Sequence, residues 1–250
     1  MTHIEIHRPG PRAWATLIVC ESKMVIRDTA GLLIPLGLPL LILVMNGLNT
    51  TGQAPEVFER YVMPLVLTIV IATVGVVNMP SFLAYYRRLK ILRRLAVTPA
   101  NPAMVLAAQM IVGLAQCLVG IVIGVTVAVT LFGAGLPANL GTAIAVLGLA
   151  TLAMFAVGAL VAAVAPTGNA AVAIGLTLFF ALGATGGMFG STENLPSGLA
   201  TVGEALPFGA AVQAIGDAWT GAPTDPAHLI ALAIAFVVSA LGAVALFRWD

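Results

Sequence analysis

Apolar residues run almost unbroken through six stretches, at about 31–48, 61–84, 104–132, 140–165, 170–190 and 227–247, and polar positions collect between them. At 1.5 Å per residue, about 18–20 apolar residues cross a hydrocarbon core of about 30 Å, so each stretch predicts a transmembrane helix. The first span contains Pro35 and Pro39. Each proline frees a backbone carbonyl that neighbouring helices must cover. The third span is longer than a crossing needs and is expected to tilt.

The segments between the spans carry patterns of their own. Over residues 11–28, Arg12, Thr16, Lys23 and Arg27 share one helical face, with Trp14, Leu17, Ile18 and Val25 opposite. That division predicts a helix lying in the membrane interface. Glu21 breaks it by falling within the apolar face, where a carboxylate wants a cationic partner. An ordinary neighbouring pair on the same helix and a contact with the basic loop at 85–103 both fit. In the region 191–226, Ser197 is placed to cap a short helix carrying Leu199, Val202 and Leu206. Pro207 then starts a second helix with Phe208, Val212, Ile215 and Trp219 on one stripe. Two short amphipathic helices beside a membrane predict a re-entrant or surface-lying hairpin. The expected architecture is thus all-α and integral to the membrane. It comprises an interfacial helix, six spans, a coupling loop after the second span and a hairpin before the last, forming one domain over residues 1–250.

Composition sharpens this picture. Of the 250 residues, 60% are hydrophobic and 8% charged, and the mean hydropathy is +1.06. A soluble domain carries about 25% charged residues. No polar stretch approaches the roughly 50 residues that a small soluble domain needs. A cleavable signal peptide is not expected, because Arg8, Arg12, Glu21, Lys23, Arg27 and Asp28 interrupt any apolar core near the start. Cys20 and Cys117 lack the spacing of a metal or redox pair.

Charge sets the orientation. Tyr85 to Pro99 (YYRRLKILRRLAVTP) gathers Arg87, Arg88, Lys90, Arg93 and Arg94. Each would cost roughly 2.5–3.5 kcal/mol at a bilayer centre, so the stretch lies on one side of the membrane. With six spans the termini share that side. Its cations also include Arg8, Arg12, Lys23, Arg27 and Arg248, whereas the other side has Arg60 alone, with Glu56, Glu59, Glu193, Glu204, Asp217 and Asp225. The positive-inside rule then makes the basic side and both termini cytoplasmic, as in a bacterial-type inner membrane.

Candidate chemistry is sparse. The chain has no phosphate-binding Gly-x-x-x-x-Gly-Lys-Ser/Thr loop, no Gly-x-Ser-x-Gly elbow and no His-Glu-x-x-His helix. His228, at the outer mouth of the last span, reads as an interfacial imidazole. No Asp, Glu, Lys or Arg lies in a span core, so the usual machinery of a proton relay is missing. No catalytic residue, metal site, cofactor or nucleic-acid partner is expected, and energy for uphill transport would have to come from another polypeptide. Within the spans, Gln109 and Gln116 share a face beside Gly113, Gly120 and Gly124. Gly183 with Gly187, and Gly186 with Gly190, form overlapping small-x-x-x-small pairs suited to helix contact. These four glycines are candidates for a seam with a second copy. Met79, Phe82 and Met188 would suit an adaptable apolar pathway.

Four places together resemble the permease subunits of type-2 ABC exporters, including the daunorubicin-resistance class. Glu21 to Asp28 (ESKMVIRD) is similar to that family's leading helix, with Thr29 where the pattern has proline. LKILRRLAVTP, Leu89 to Pro99, resembles its cytoplasmic loop, with Lys90 in place of glycine. ENLPSGL at Glu193 to Leu199 and LPFGAAVQAIGDAW at Leu206 to Trp219 resemble its re-entrant hairpin. Leu246 to Trp249 resembles its C-terminal ending. The resemblance implies a six-span permease that pairs with a second permease, identical or homologous, and docks two ABC ATPase subunits, which bind ATP and Mg. The cationic stretch would be the coupling helix, with Arg87, Arg88, Leu89, Lys90, Leu92, Arg93, Arg94 and Leu95 against the ATPase. Glu21, Arg27 and Asp28 would belong to the interfacial helix. The implied function is efflux of a hydrophobic drug or lipid-like substrate, in the manner of antibiotic resistance. Export of a polysaccharide or lipid-linked glycan is a rival; few aromatic residues (6%) are present to stack on sugars. A passive channel or scaffold without an ATPase is the other.

Overall fold

The computed structural model describes residues 10–50, 55–88, 102–190 and 195–246. The described residues are helical, with no strand among them. Helix α1 is Pro11–Arg27, followed by α2 (Thr29–Asn49), α3 (Phe58–Tyr86, its helix continuing to Arg88) and α4 (Pro102–Phe132). After these come α5 (Leu140–Val164), α6 (Gly168–Thr185), α7 (Ser197–Ala205), α8 (Pro207–Thr220) and α9 (Pro226–Leu246). Helices α2, α3, α4, α5, α6 and α9 are long and apolar enough to cross a membrane, while α7 and α8 form a pair bent by 79°.

Local chemistry explains the breaks. Pro11 opens α1, and Asp28, in extended conformation, closes it. The Asp28 carboxylate then accepts from the Gly31 N–H at 3.1 Å, so one residue ends α1 and caps α2. Asn139 and Thr167 cap α5 and α6 in the same way. Two boundaries differ from expectation. The fifth span stops at Thr185, because Gly187 and Gly190 adopt positive φ (92° and 150°) and turn the chain. Ser197 is the first residue of α7 and supplies no capping bond; Pro196 precedes it in the cap position.

Helix α3 forms the centre, its whole membrane window buried by other helices. It is apolar on every side, and a helix of that kind must be covered all round. Helices α2, α4, α5, α6 and α8 surround it, and α9 lies along α5 and α8. Leu118, Val122, Leu131, Ile144, Leu241 and Val244 point outward, as expected where lipid is the solvent.

Because lipid is as apolar as leucine, close van der Waals contact has to hold the spans together. Two close crossings meet a π-helical stretch of α3, Thr73–Asn78. A Cβ on Gly158 of α5 would overlap the Gly75 carbonyl oxygen, and one on Gly175 of α6 would come within 2.5 Å of the Val76 oxygen. Two neighbouring helices therefore approach α3 backbone to backbone where its winding is widest.

Candidate functional site

At the Tyr86 end of the bundle, α1 docks through its apolar face, the anomalous Glu21 included. Glu21 and Val25, one turn apart, are its buried positions. Glu21 and Tyr86 are each 4% exposed. The Tyr86 hydroxyl lies 2.7 and 2.6 Å from the two carboxylate oxygens of Glu21 and donates its proton to them, with Met24 Sδ at 3.2 Å. Leu17 and Met24 of α1 pack on Tyr86 and Val105 around this pair. Burial raises the Glu21 pKa from its ordinary 4.5, and the bond from Tyr86 opposes that rise. The partner that Glu21 demanded is thus a phenol on α3 rather than a cation. Sequence marked Glu21 as misplaced, but nothing local pointed to a residue 65 positions later.

Next to this clasp lies a cleft of about 490 Å³. Met24, Arg27 and Asp28 border it from the α1–α2 corner, Ser81, Phe82 and Tyr85 from α3, and Asn169 and Val172 from α6. One wall is apolar and aromatic, and the rim carries a cation, an anion and an amide. Such a cleft can take an amphipathic molecule with its polar end at the rim.

Pro35 leaves the Gly31 carbonyl without its helical donor, as expected. Asn78 Nδ2, at 2.5 Å, and Gln116 Nε2, at 2.8 Å, donate to it. Two side-chain hydrogen bonds therefore tie the beginning of α2 to α3 and α4.

The opposite end has a second latch. Arg60 Nη1 and Asp217 Oδ1 meet at 2.5 Å, joining the start of α3 to α8. Glu59 Oε1 accepts from the Gly135 N–H at 2.6 Å, and the Trp219 indole N–H donates to the Gly135 oxygen at 3.0 Å. The α7–α8 pair is thereby fastened both to α3 and to the turn between α4 and α5. Arg60 was legible as a solitary cation on an acidic side, yet sequence named none of six acids as its partner.

The other expected site residues divide as follows. Met79 is buried beside Phe82, which floors the cleft. Met188 is buried at the opposite end of α6 and packs within 2.7 Å of where a Cβ on Gly183 would stand. The structure does not bring Met188 together with Met79 and Phe82. A Cβ on Gly186 would lie 2.5 Å from the Phe208 ring, so Gly183 and Gly186 are occupied by contacts within the chain. Gly190 is exposed with no atom within 4 Å of such a Cβ. Arg27 and Asp28 sit at the cleft, Arg87 and Arg88 extend α3, and Leu89, Lys90, Leu92, Arg93, Arg94 and Leu95 lie outside the described residues.

Compared with known families, residues 36–246 match that of the ABC-2 family transporter protein. No curated protein matches the chain.

Proposed function

Because the chain belongs to the ABC-2 family of transporter proteins, we propose that it is the pathway-forming half of an exporter whose motion is driven from the loop after α3. It is a multi-pass membrane subunit of an ABC transporter, and such a subunit works with an ABC ATPase. Two ATPases dock on the cationic stretch 87–97 at the cytoplasmic face, a second permease of the same or related sequence completes the pathway, and a hydrophobic drug or lipid-like molecule leaves the cell.

The Glu21–Tyr86 clasp carries this reading. Tyr86 immediately precedes Arg87 and Arg88, and its hydroxyl holds α1, which leads through Asp28 into α2. A push on the loop would thus displace α3, α1 and the start of α2 together. The cleft among Met24, Phe82, Tyr85 and Val172 lies between these elements and α6. It is a suitable inner-leaflet doorway for an amphipathic substrate, which favours a drug or lipid over a glycan.

The test is co-purification of the tagged chain, expressed with its genomic neighbours. An ATPase should accompany it and be lost on Arg93→Glu with Arg94→Glu while the chain still inserts. Retention of the ATPase by that variant would reduce the loop to a topology signal.

A further inference from the structure

A small, largely enclosed cavity lies in the Tyr86 half of the bundle, where Val25, Val74, Asn78, Met79, Gln109 and Gln116 converge. Gln109 is 4% exposed, and its Oε1 accepts no hydrogen bond among the described residues. A buried carbonyl oxygen that has left water and found no donor is costly, and native structures leave few of them. The carboxamides of Asn78 and Gln116, which hold the Gly31 carbonyl, line the same space.

We infer that Gln109, Asn78 and Gln116 form a binding site for one buried water, which donates to Gln109 Oε1. The cavity has room for a single water, and its wall is polar where a water would need partners. A bare cation is a poorer occupant, since no Asp or Glu lines the space to offset its charge. The water has a mechanical consequence. The start of α2 hangs on two side-chain bonds to Gly31, and a neighbouring water can replace either donor as α2 shifts. The joint between α2 and the α3–α4 pair can then turn without stranding a buried carbonyl.

The experiment is hydroxyl-radical labelling by X-ray radiolysis of the full chain in lipid nanodiscs, followed residue by residue by mass spectrometry. Radicals form where water is bound, and a thioether beside them is converted to sulfoxide. Met79 lines the cavity at 6% exposure, whereas Met63, at 0%, is packed in the main apolar core. Met79 should be oxidised at least about tenfold faster than Met63, and Gln109→Leu should bring it down to the Met63 rate without raising Tm. The wild-type comparison alone overturns the inference if the two methionines react alike. A Gln109→Leu variant that leaves the Met79 rate unchanged also overturns it. So does one with higher Tm, as removal of a dry, unpartnered carbonyl would give.

Discussion

Replacing Tyr86 with Phe removes one oxygen and leaves the ring that packs on Met24 and Val105. The cost therefore reports on the bond to Glu21. That bond is short to both carboxylate oxygens, and both side chains are 4% exposed. A hydrogen bond to a charged group contributes about 1.5–3 kcal/mol, and one between neutral groups about 0.5–1.5 kcal/mol. Because burial raises the Glu21 pKa, its share of stability is fully present below its unfolded value of 4.5 and is lost as pH rises through the folded value. Removing the hydroxyl takes away the one influence that opposes the rise, so the variant's folded pKa moves higher still. Tyr86→Phe should then lose about 1.5–3 kcal/mol above the folded value, where the carboxylate is ionised, and about 0.5–1.5 kcal/mol below pH 4.5, where it is protonated. Thermal unfolding of the protein in nanodiscs in the two pH ranges measures the difference. Glu21→Gln, which cannot ionise, should flatten the pH dependence and make a further Tyr86→Phe change equally costly in both. An equal loss on both sides of the Glu21 titration in the Glu21 background, or no loss on either, refutes the reasoning.

Three further outcomes follow from other contacts. Gly158→Ala drives a methyl into the Gly75 carbonyl and should cost about 1–3 kcal/mol, read as a lowered Tm, while Gly148→Ala, with nothing within 4 Å, should be neutral. In the outer latch the Asp217 side chain is 8% exposed and that of Arg60 is 34% exposed. Arg60→Ala strands a buried carboxylate and should cost about 1–3 kcal/mol, whereas Asp217→Ala frees an arginine that can turn to water and should cost less than about 1 kcal/mol. Finally, Cys20 is exposed and Cys117 buried. A membrane-impermeant maleimide should label Cys20 in inside-out vesicles and not in intact cells, and should leave Cys117 untouched; labelling in intact cells would reverse the orientation.

Sequence alone pointed to about six spans, since an apolar run of this length is stable in a bilayer as a helix with its backbone bonds satisfied internally. It also exposed the irregularities, namely a carboxylate on an apolar face at Glu21, a carbonyl orphaned by Pro35, two glutamines within a span and a bend before Pro207. What it left open was the partner of each. Glu21 meets Tyr86, Gly31 meets Asn78 and Gln116, and Arg60 meets Asp217, pairings between distant segments that no local spacing encodes. Nor did it rank the spans, because hydrophobicity drives every one of them into the membrane without distinguishing lipid from protein as a neighbour. Only packing made α3 the centre, through glycines at 158 and 175 whose missing side chains matter solely because another backbone crosses there.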